Sequence, residues 1–197
     1  MEQKVRKGEE LNEINLKNFL KENDLISDIK SELKVLQFSN GFSNLTYSLA
    51  IENKEYVIRK PPKGAVYGHD MNREFKVLKG LNNGFDKAPI AYAYSEDNSI
   101  IGTSFYIMEK VNGKIITPRE FKERSIPNED YSTISKTWLK TFVELHNLDY
   151  KKIGLSELGK PDGYVERQVR NWGKQYLKAA TEAVSYTHLT LPTNREV

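Results

Sequence analysis

The chain has 197 residues, 38% hydrophobic and 29% charged, enough for one domain or a lobe and a half around a sizeable core. Thirty basic residues against 27 acidic give a net charge of +3, a balance that speaks against nucleic-acid or membrane partners and suits an anionic ligand only weakly. There is no cysteine, which excludes disulfides and thiolate metal sites, and no signal-peptide core or bilayer-length apolar stretch, so a cytoplasmic protein is expected.

Residues 9–23, EELNEINLKNFLKEN, place Leu11, Ile14 and Phe19 at roughly helical spacing. Three strand-like runs follow, LKVLQF (33–38), NLTYSLAI (44–51) and KEYVIRK (54–60). In the second, Leu45, Tyr47, Leu49 and Ile51 share one face at period two. The ENKE step at 52–55 predicts a tight hairpin, and PPKGAVYG (61–68) predicts a loop, because two prolines and two glycines interrupt it. Asp70 is the predicted N-cap of MNREFKVLKGLN (71–82), where Phe75, Leu78 and Leu81 recur every three residues. Two more strands, IAYAYS (90–95) and TSFYIMEKV (103–111), flank a turn-like EDNS. Beyond Gly113 the pattern is mostly helical, and Ile134, Trp138, Phe142 and Leu145 form an apolar stripe that ends near His146. This order of elements predicts an α+β fold with an antiparallel sheet of about five strands.

Several residues carry chemistry. In FSNGFSN (38–44), Gly41 and the serines leave backbone N–H groups open, as a phosphate cradle requires, although an ordinary glycine turn is the commoner use of such a pattern. Arg59 and Lys60 end the third strand on opposite faces, Arg59 with Val57 and Lys60 with Ile58. Either cation can meet a phosphate, and a solvated strand end is the commoner role. Glu74, one turn before Leu78, can pair with a strand cation, or simply with a helix neighbour at i,i+4. In FYIMEKVNG (105–113), a strand runs into a polar segment whose backbone can offer a donor and an acceptor, beside a bulky Met108 that is core by default. His146 and His69 read as helix-end residues, and no pair of histidines has metal-ligand spacing.

The order of these parts is more specific than any one of them. FSNGFSNLTYSL, YVIRKPPKG, HDMNREFKVLKGL, IIGTSFYIMEKVNG, LHNLD and YVERQVRNWGKQY together resemble the aminoglycoside phosphotransferase and choline kinase-like superfamily. The closest likeness is to the phosphotransferase domain that also occurs fused ahead of the dehydrogenase in acyl-CoA dehydrogenase family members ten and eleven. It covers roughly residues 10–180, and its last motif, with Arg167, Gln168, Trp172, Gln175 and Tyr176, is the most distinctive.

The resemblance implies a protein-kinase-like N-terminal lobe over residues 1–113 and the first helices of a C-terminal lobe over 114–183. It implies ATP and Mg2+ as cofactors and phosphoryl transfer to a hydroxyl of a small molecule, such as a hydroxy acid or a hydroxyacyl-CoA. A choline- or aminoglycoside-type kinase, or a pseudokinase-like nucleotide-binding module, is the alternative. On this likeness Ser39, Asn40, Gly41, Phe42, Ser43 and Asn44 cover the ATP phosphates. Arg59 stands where the family's phosphate-contacting strand cation belongs, with Lys60 as its competitor, and Glu74 is its helix partner. Met108 flanks adenine, and the backbone of Glu109 and Val111 binds its edge.

Such enzymes draw their base and metal ligands from a histidine–glycine–aspartate loop, a downstream asparagine and a later aspartate. No His-x-Asp sequence occurs here, so no catalytic residue and no metal ligand is assigned, and the chain by itself is expected to be inactive. Residues 184–193, VSYTHLTLPT, are encoded in order by GTC TCT TAT ACA CAT CTG ACG CTG CCG ACG, a string that resembles a sequencing-library transposon-end adapter. Residues 184–197 are therefore expected to be a non-native tail. Apolar surface around Trp138, Phe142 and Trp172 is expected to be exposed.

Overall fold

Alternating apolar residues in the strands dictate a sheet with two unlike faces. The computed structural model describes residues 2–39, 43–64, 70–113, 116, 127–160 and 162–179. Its strands are β1 (Glu2–Gln3), β2 (Lys34–Phe38), β3 (Leu45–Ile51), β4 (Lys54–Lys60), β5 (Ala91–Ser95) and β6 (Phe105–Glu109). They form one antiparallel sheet in the order β1-β2-β3-β4-β6-β5. On one face Tyr47 stands opposite Ile58, Ile58 opposite Ile107, and Ile107 opposite Ala93, all buried. Helix α1 (Glu13–Glu22) closes this face with Leu16, Phe19 and Leu20, and the Phe19 ring meets Phe105 edge-on at 5.0 Å. This is the principal apolar core.

The opposite face is more polar. It carries Ser48 opposite Val57, Val57 opposite Met108, and Arg59 opposite Tyr106, which in turn faces Tyr94. Helix α2 (Met71–Leu81) packs here through Phe75, whose ring stacks on Tyr94 at 5.7 Å and tilts against Tyr106 at 6.4 Å. A bulge between Ala91 and Ala93 interrupts the β5–β6 register at Tyr92, whose ring packs edge-on against Tyr56 across the first face.

The β3–β4 hairpin turns on Glu52 (φ 50°) and Asn53 (φ 60°), the left-handed pair that a two-residue hairpin needs. The Glu52 carboxylate also accepts from the N–H groups of Ser27 (2.8 Å) and Asp28 (2.6 Å) and from the Ser31 hydroxyl (3.0 Å). It thereby ties the turn to the segment that follows α1.

Three expectations are revised. The sheet has six strands, because Glu2 and Gln3 add to the edge of β2, a pairing too short to leave a period-two signature. The first helix begins at Glu13 rather than Glu9: Asn12 caps it by accepting from the Asn15 N–H (3.1 Å), while Glu9 is bonded to Gln37. Ile14 consequently points into solvent, and Leu16 and Leu20 take the buried stripe with Phe19. The EDNS step is more than a turn. Asp97 accepts from the Ser99 N–H (2.8 Å) and starts a one-turn helix, α3 (Asn98–Ile101), that ends at Gly102 in the left-handed conformation.

The chain divides into two compact units, residues 1–158 and 159–197. The first also contains helix α4 (Asn128–His146) and a short 3-10 turn, Ser156–Leu158. The stretch before this turn lies so close to α2 that a Cβ on Gly80 would overlap the Leu155 side chain and come within 3.2 Å of the Ile153 carbonyl. In the second unit, helix α5 (Tyr164–Ala179) follows a turn in which the Arg167 guanidinium donates to the Asp162 and Lys160 carbonyls. Trp138 and Phe142 on α4, and Trp172 on α5, are 64%, 45% and 68% exposed. No described helix is long and apolar enough to cross a membrane.

The Glu52 clasp makes a pH prediction. The Ser27 N–H, then the Asp28 N–H, hold its carboxyl down at about 2, below the ordinary 4.5. The clasp is therefore complete above about pH 4.5 and is lost as the pH falls towards 2. In urea titrations followed by circular dichroism, the wild-type advantage over Glu52→Gln should be constant near neutrality and shrink across that acid window. A gap independent of pH would contradict this assignment.

Candidate functional site

The polar face of the sheet gathers its charged groups at one end. Arg59, the next-to-last residue of β4, projects towards α2 because period two places it with Val57, opposite the Ile58 core face. Asp70 caps α2 by accepting from the Arg73 N–H (2.8 Å), which fixes the first turn and aims Glu74 back at the sheet. Arg59 Nη1 then lies 3.3 Å from Glu74 Oε2. The same carboxylate accepts from Asn44 Nδ2 at Oε1 (2.9 Å) and from the Tyr106 hydroxyl at Oε2 (3.0 Å). Burial, with the Glu74 charge adding to it, pushes the Tyr106 phenol up to about 12, so it remains a donor throughout the working pH range.

This geometry does two things. It gives the Glu74 carboxylate three donors from three parts of the chain, which fix its position. It also holds a permanent cation on the sheet face with donor capacity left over: Arg59 Nε is buried and meets no acceptor among the described residues. A planar guanidinium with an unmet donor suits an anionic oxygen.

Lys60 is placed elsewhere. Its ammonium is on the α1 side of the sheet, 3.4 Å from the Ile101 carbonyl, in a separate cavity of about 330 Å3 with Pro61, Pro62 and Gly102, and burial pushes its pKa down. Of the residues expected to cover phosphates, Ser39 and Ser43 flank the turn and Asn44 is buried against Glu74, while Asn40, Gly41 and Phe42 lie outside the described residues. Met108 is half-buried on the same face as Val57 and Tyr106. The Glu109 N–H is already committed to the Ile90 carbonyl (2.8 Å), and Val111 is exposed just past the strand end. His146 Nδ1 lies 2.8 Å from the Phe142 carbonyl with its ring against Phe142, as a helix-end histidine does. His69 and residues 184–197 lie outside the described residues.

Sequence reasoning missed two partners of Glu74, the Tyr106 hydroxyl and the Asn44 side-chain amide. The signal for Tyr106 is its position directly opposite Arg59, which depends on the β4–β6 register. Among the described residues, no cluster of three or more histidine, aspartate or glutamate side chains could hold a metal ion. A groove of about 510 Å3 between α2 and Ile153–Leu158, edged by Arg73, Lys76 and Lys79, lies apart from Arg59 and Glu74.

Comparison with known proteins gives these positions a context. Residues 34–191 match the sequence profile of the phosphotransferase enzyme family. Acyl-CoA dehydrogenase family member 11 of Rattus norvegicus is 37% identical over 160 residues, covering 80% of this chain and 20% of that protein. Family member 10 of Mus musculus is 34% identical over 157 residues, covering 77% and 14%. The chain thus spans about a fifth or less of the length of these curated relatives. Among solved structures, a protein assigned as an aminoglycoside phosphotransferase, from Ralstonia eutropha, matches with a TM-score of 0.67 and 30% identity, covering 89% of this chain and 50% of that one.

The constellation around Glu74 can be tested as a stability network. Asn44→Ala, which removes a buried donor to a charged oxygen, should destabilise the chain by about 1–3 kcal/mol, and Tyr106→Phe by about 1 kcal/mol. Equilibrium urea unfolding measures both. Two wild-type midpoints would show that the bonds to Glu74 contribute nothing.

Proposed function

The chain belongs to the phosphotransferase enzyme family, and we propose that it supplies the ATP-binding lobe of a kinase transferring phosphate to a hydroxyl of a small molecule. The observation that carries this reading is Arg59, a cation fixed on the sheet face by Glu74 and keeping one donor unmet. Phosphoryl transfer asks chiefly for positioning and charge neutralisation, and a locked guanidinium offers both. Arg59 rather than Lys60 takes the phosphate role, because only Arg59 stands with Glu74 on the face that carries Met108. In this reading the 39–44 turn covers the phosphates, Met108 packs beside adenine, and backbone groups of Glu109 and Val111 meet its edge.

Bound Mg2+ would supply charge neutralisation to the transferred phosphate. The described residues do not gather the carboxylates that would hold it. A hydroxy acid or hydroxyacyl-CoA is the acceptor suggested by the acyl-CoA dehydrogenase relatives, an analogy confined to the segment they share. Likeness to the Ralstonia eutropha protein favours an aminoglycoside- or choline-type acceptor as the second reading.

The nucleotide claim predicts a thermal shift. ATP at about a hundred times its Kd should stabilise the wild-type chain by about 2.7 kcal/mol, or roughly 5–10 °C in Tm for a protein of this size. Arg59→Ala should abolish most of that shift, and an undiminished shift in this variant would remove Arg59 from the site. The same chain should transfer no phosphate from ATP to any hydroxyl acceptor, because no His-x-Asp loop is present to supply the base. Turnover by the purified chain, followed by 31P NMR or labelled ATP, would overturn that expectation.

A further inference from the structure

The sheet's first strand has a consequence for the neighbouring base subsite. β1 is only two residues long and pairs with β2 at Glu2–Phe38 and Gln3–Gln37. From this edge the Glu2 carboxylate reaches Lys110 Nζ, 2.9 Å away, and the same ammonium bonds Glu55 at 2.6 Å. The Lys110 side chain is only 16% exposed, so it lies folded against the protein rather than out in solvent. Glu55 shares the polar face of β4 with Val57, so the Lys110 ammonium and the Glu2 carboxylate it holds meet at that face.

Ser48 belongs to the cross-strand row Ser48–Val57–Met108, the part of the polar face on which the base would stack in the reading above. A purine stacked on that row needs the ground above it clear, because the ring and the Glu2–Lys110 pair cannot fill the same space. The contacts that keep Glu2 there are weak enough to exchange. An edge strand of two residues offers few ladder bonds, and a partly solvated ion pair adds little.

We propose that β1 is a latch on the base subsite: Glu2, gripped by Lys110 beside Glu55, occupies the ground that an adenine base must take, and base binding displaces it. The inference rests on the nucleotide-binding reading and adds to it a residue that opposes binding. Displacement needs no covalent step. It exchanges the Glu2–Lys110 contact for stacking of the base on Val57 and Met108.

The test compares the full chain with Glu2→Ala by calorimetric titration, using ATP and, as a probe without a base, inorganic tripolyphosphate. The latch predicts that ATP binds roughly two- to fivefold tighter to Glu2→Ala, in line with the strength of a partly exposed ion pair, while tripolyphosphate binds both proteins equally. Lys110→Met, which releases Glu2 from the other side, should tighten ATP binding in the same direction. Equal or weaker ATP binding by Glu2→Ala overturns the latch and leaves the nucleotide reading standing. An equal gain for tripolyphosphate also overturns it, because the effect would then be one of overall charge. Failure of every form of the protein to bind ATP removes the nucleotide reading and the latch with it.

Discussion

One carboxylate holds the polar side of this lobe together. Glu74, in the first turn of α2, receives a donor from the residue preceding β3, another from β4 and a third from β6. Those donors arrive from three separate parts of the chain, so the contact fixes how the helix lies on the sheet. The ion pair alone, about a third exposed on each side, would contribute at most about 1 kcal/mol. Its importance is geometric: Asn44 and Tyr106 hold the carboxylate in place, and the carboxylate in turn holds the Arg59 guanidinium on the sheet face.

The two faces of the sheet divide the labour. On the α1 side, Tyr47, Leu49, Ile58, Phe105 and Ile107 are fully buried and make the core that stabilises the lobe. The α2 side gives up part of that apolar burial to carry Ser48, Arg59, Tyr106 and Glu74. Such a division explains why Arg59 and Lys60, adjacent in sequence, have different surroundings. One faces a carboxylate on the α2 side, and the other is pressed into the proline- and glycine-lined cavity on the far side.

Helices α4 and α5 show a different balance. Trp138, Phe142 and Val143 on α4 are exposed, as are Val165, Val169, Trp172 and Tyr176 on α5, the last set at the 3.6-residue spacing of a single stripe. Exposed apolar stripes of this length are surfaces built for packing. The Ralstonia eutropha relative is matched over only half its length.

The elements themselves were legible because their causes are local. Period two in β3 and β4, the Asp70 cap and the hairpin at Glu52–Asn53 each need only a few neighbouring residues, and each element formed where its pattern stood. The motif order also identified the family before any fold was known. Local patterns were not enough for the starting point of α1, the edge strand β1 or the helix after Asp97, since those depend on which side chain finds which partner.

The site divides along the same line. Sequence by itself placed a cation, Arg59 or Lys60, at a strand end and Glu74 on the helix that follows, and the order of its motifs resembled a phosphotransferase family, because order and spacing are properties of the chain. Only the tertiary structure decided that Arg59 and not Lys60 pairs with Glu74, that Tyr106 and Asn44 complete the carboxylate's partners, and that Glu2 meets Lys110. Those contacts depend on strand register and on how α2 sits against the sheet, and both are set by packing between residues tens of positions apart.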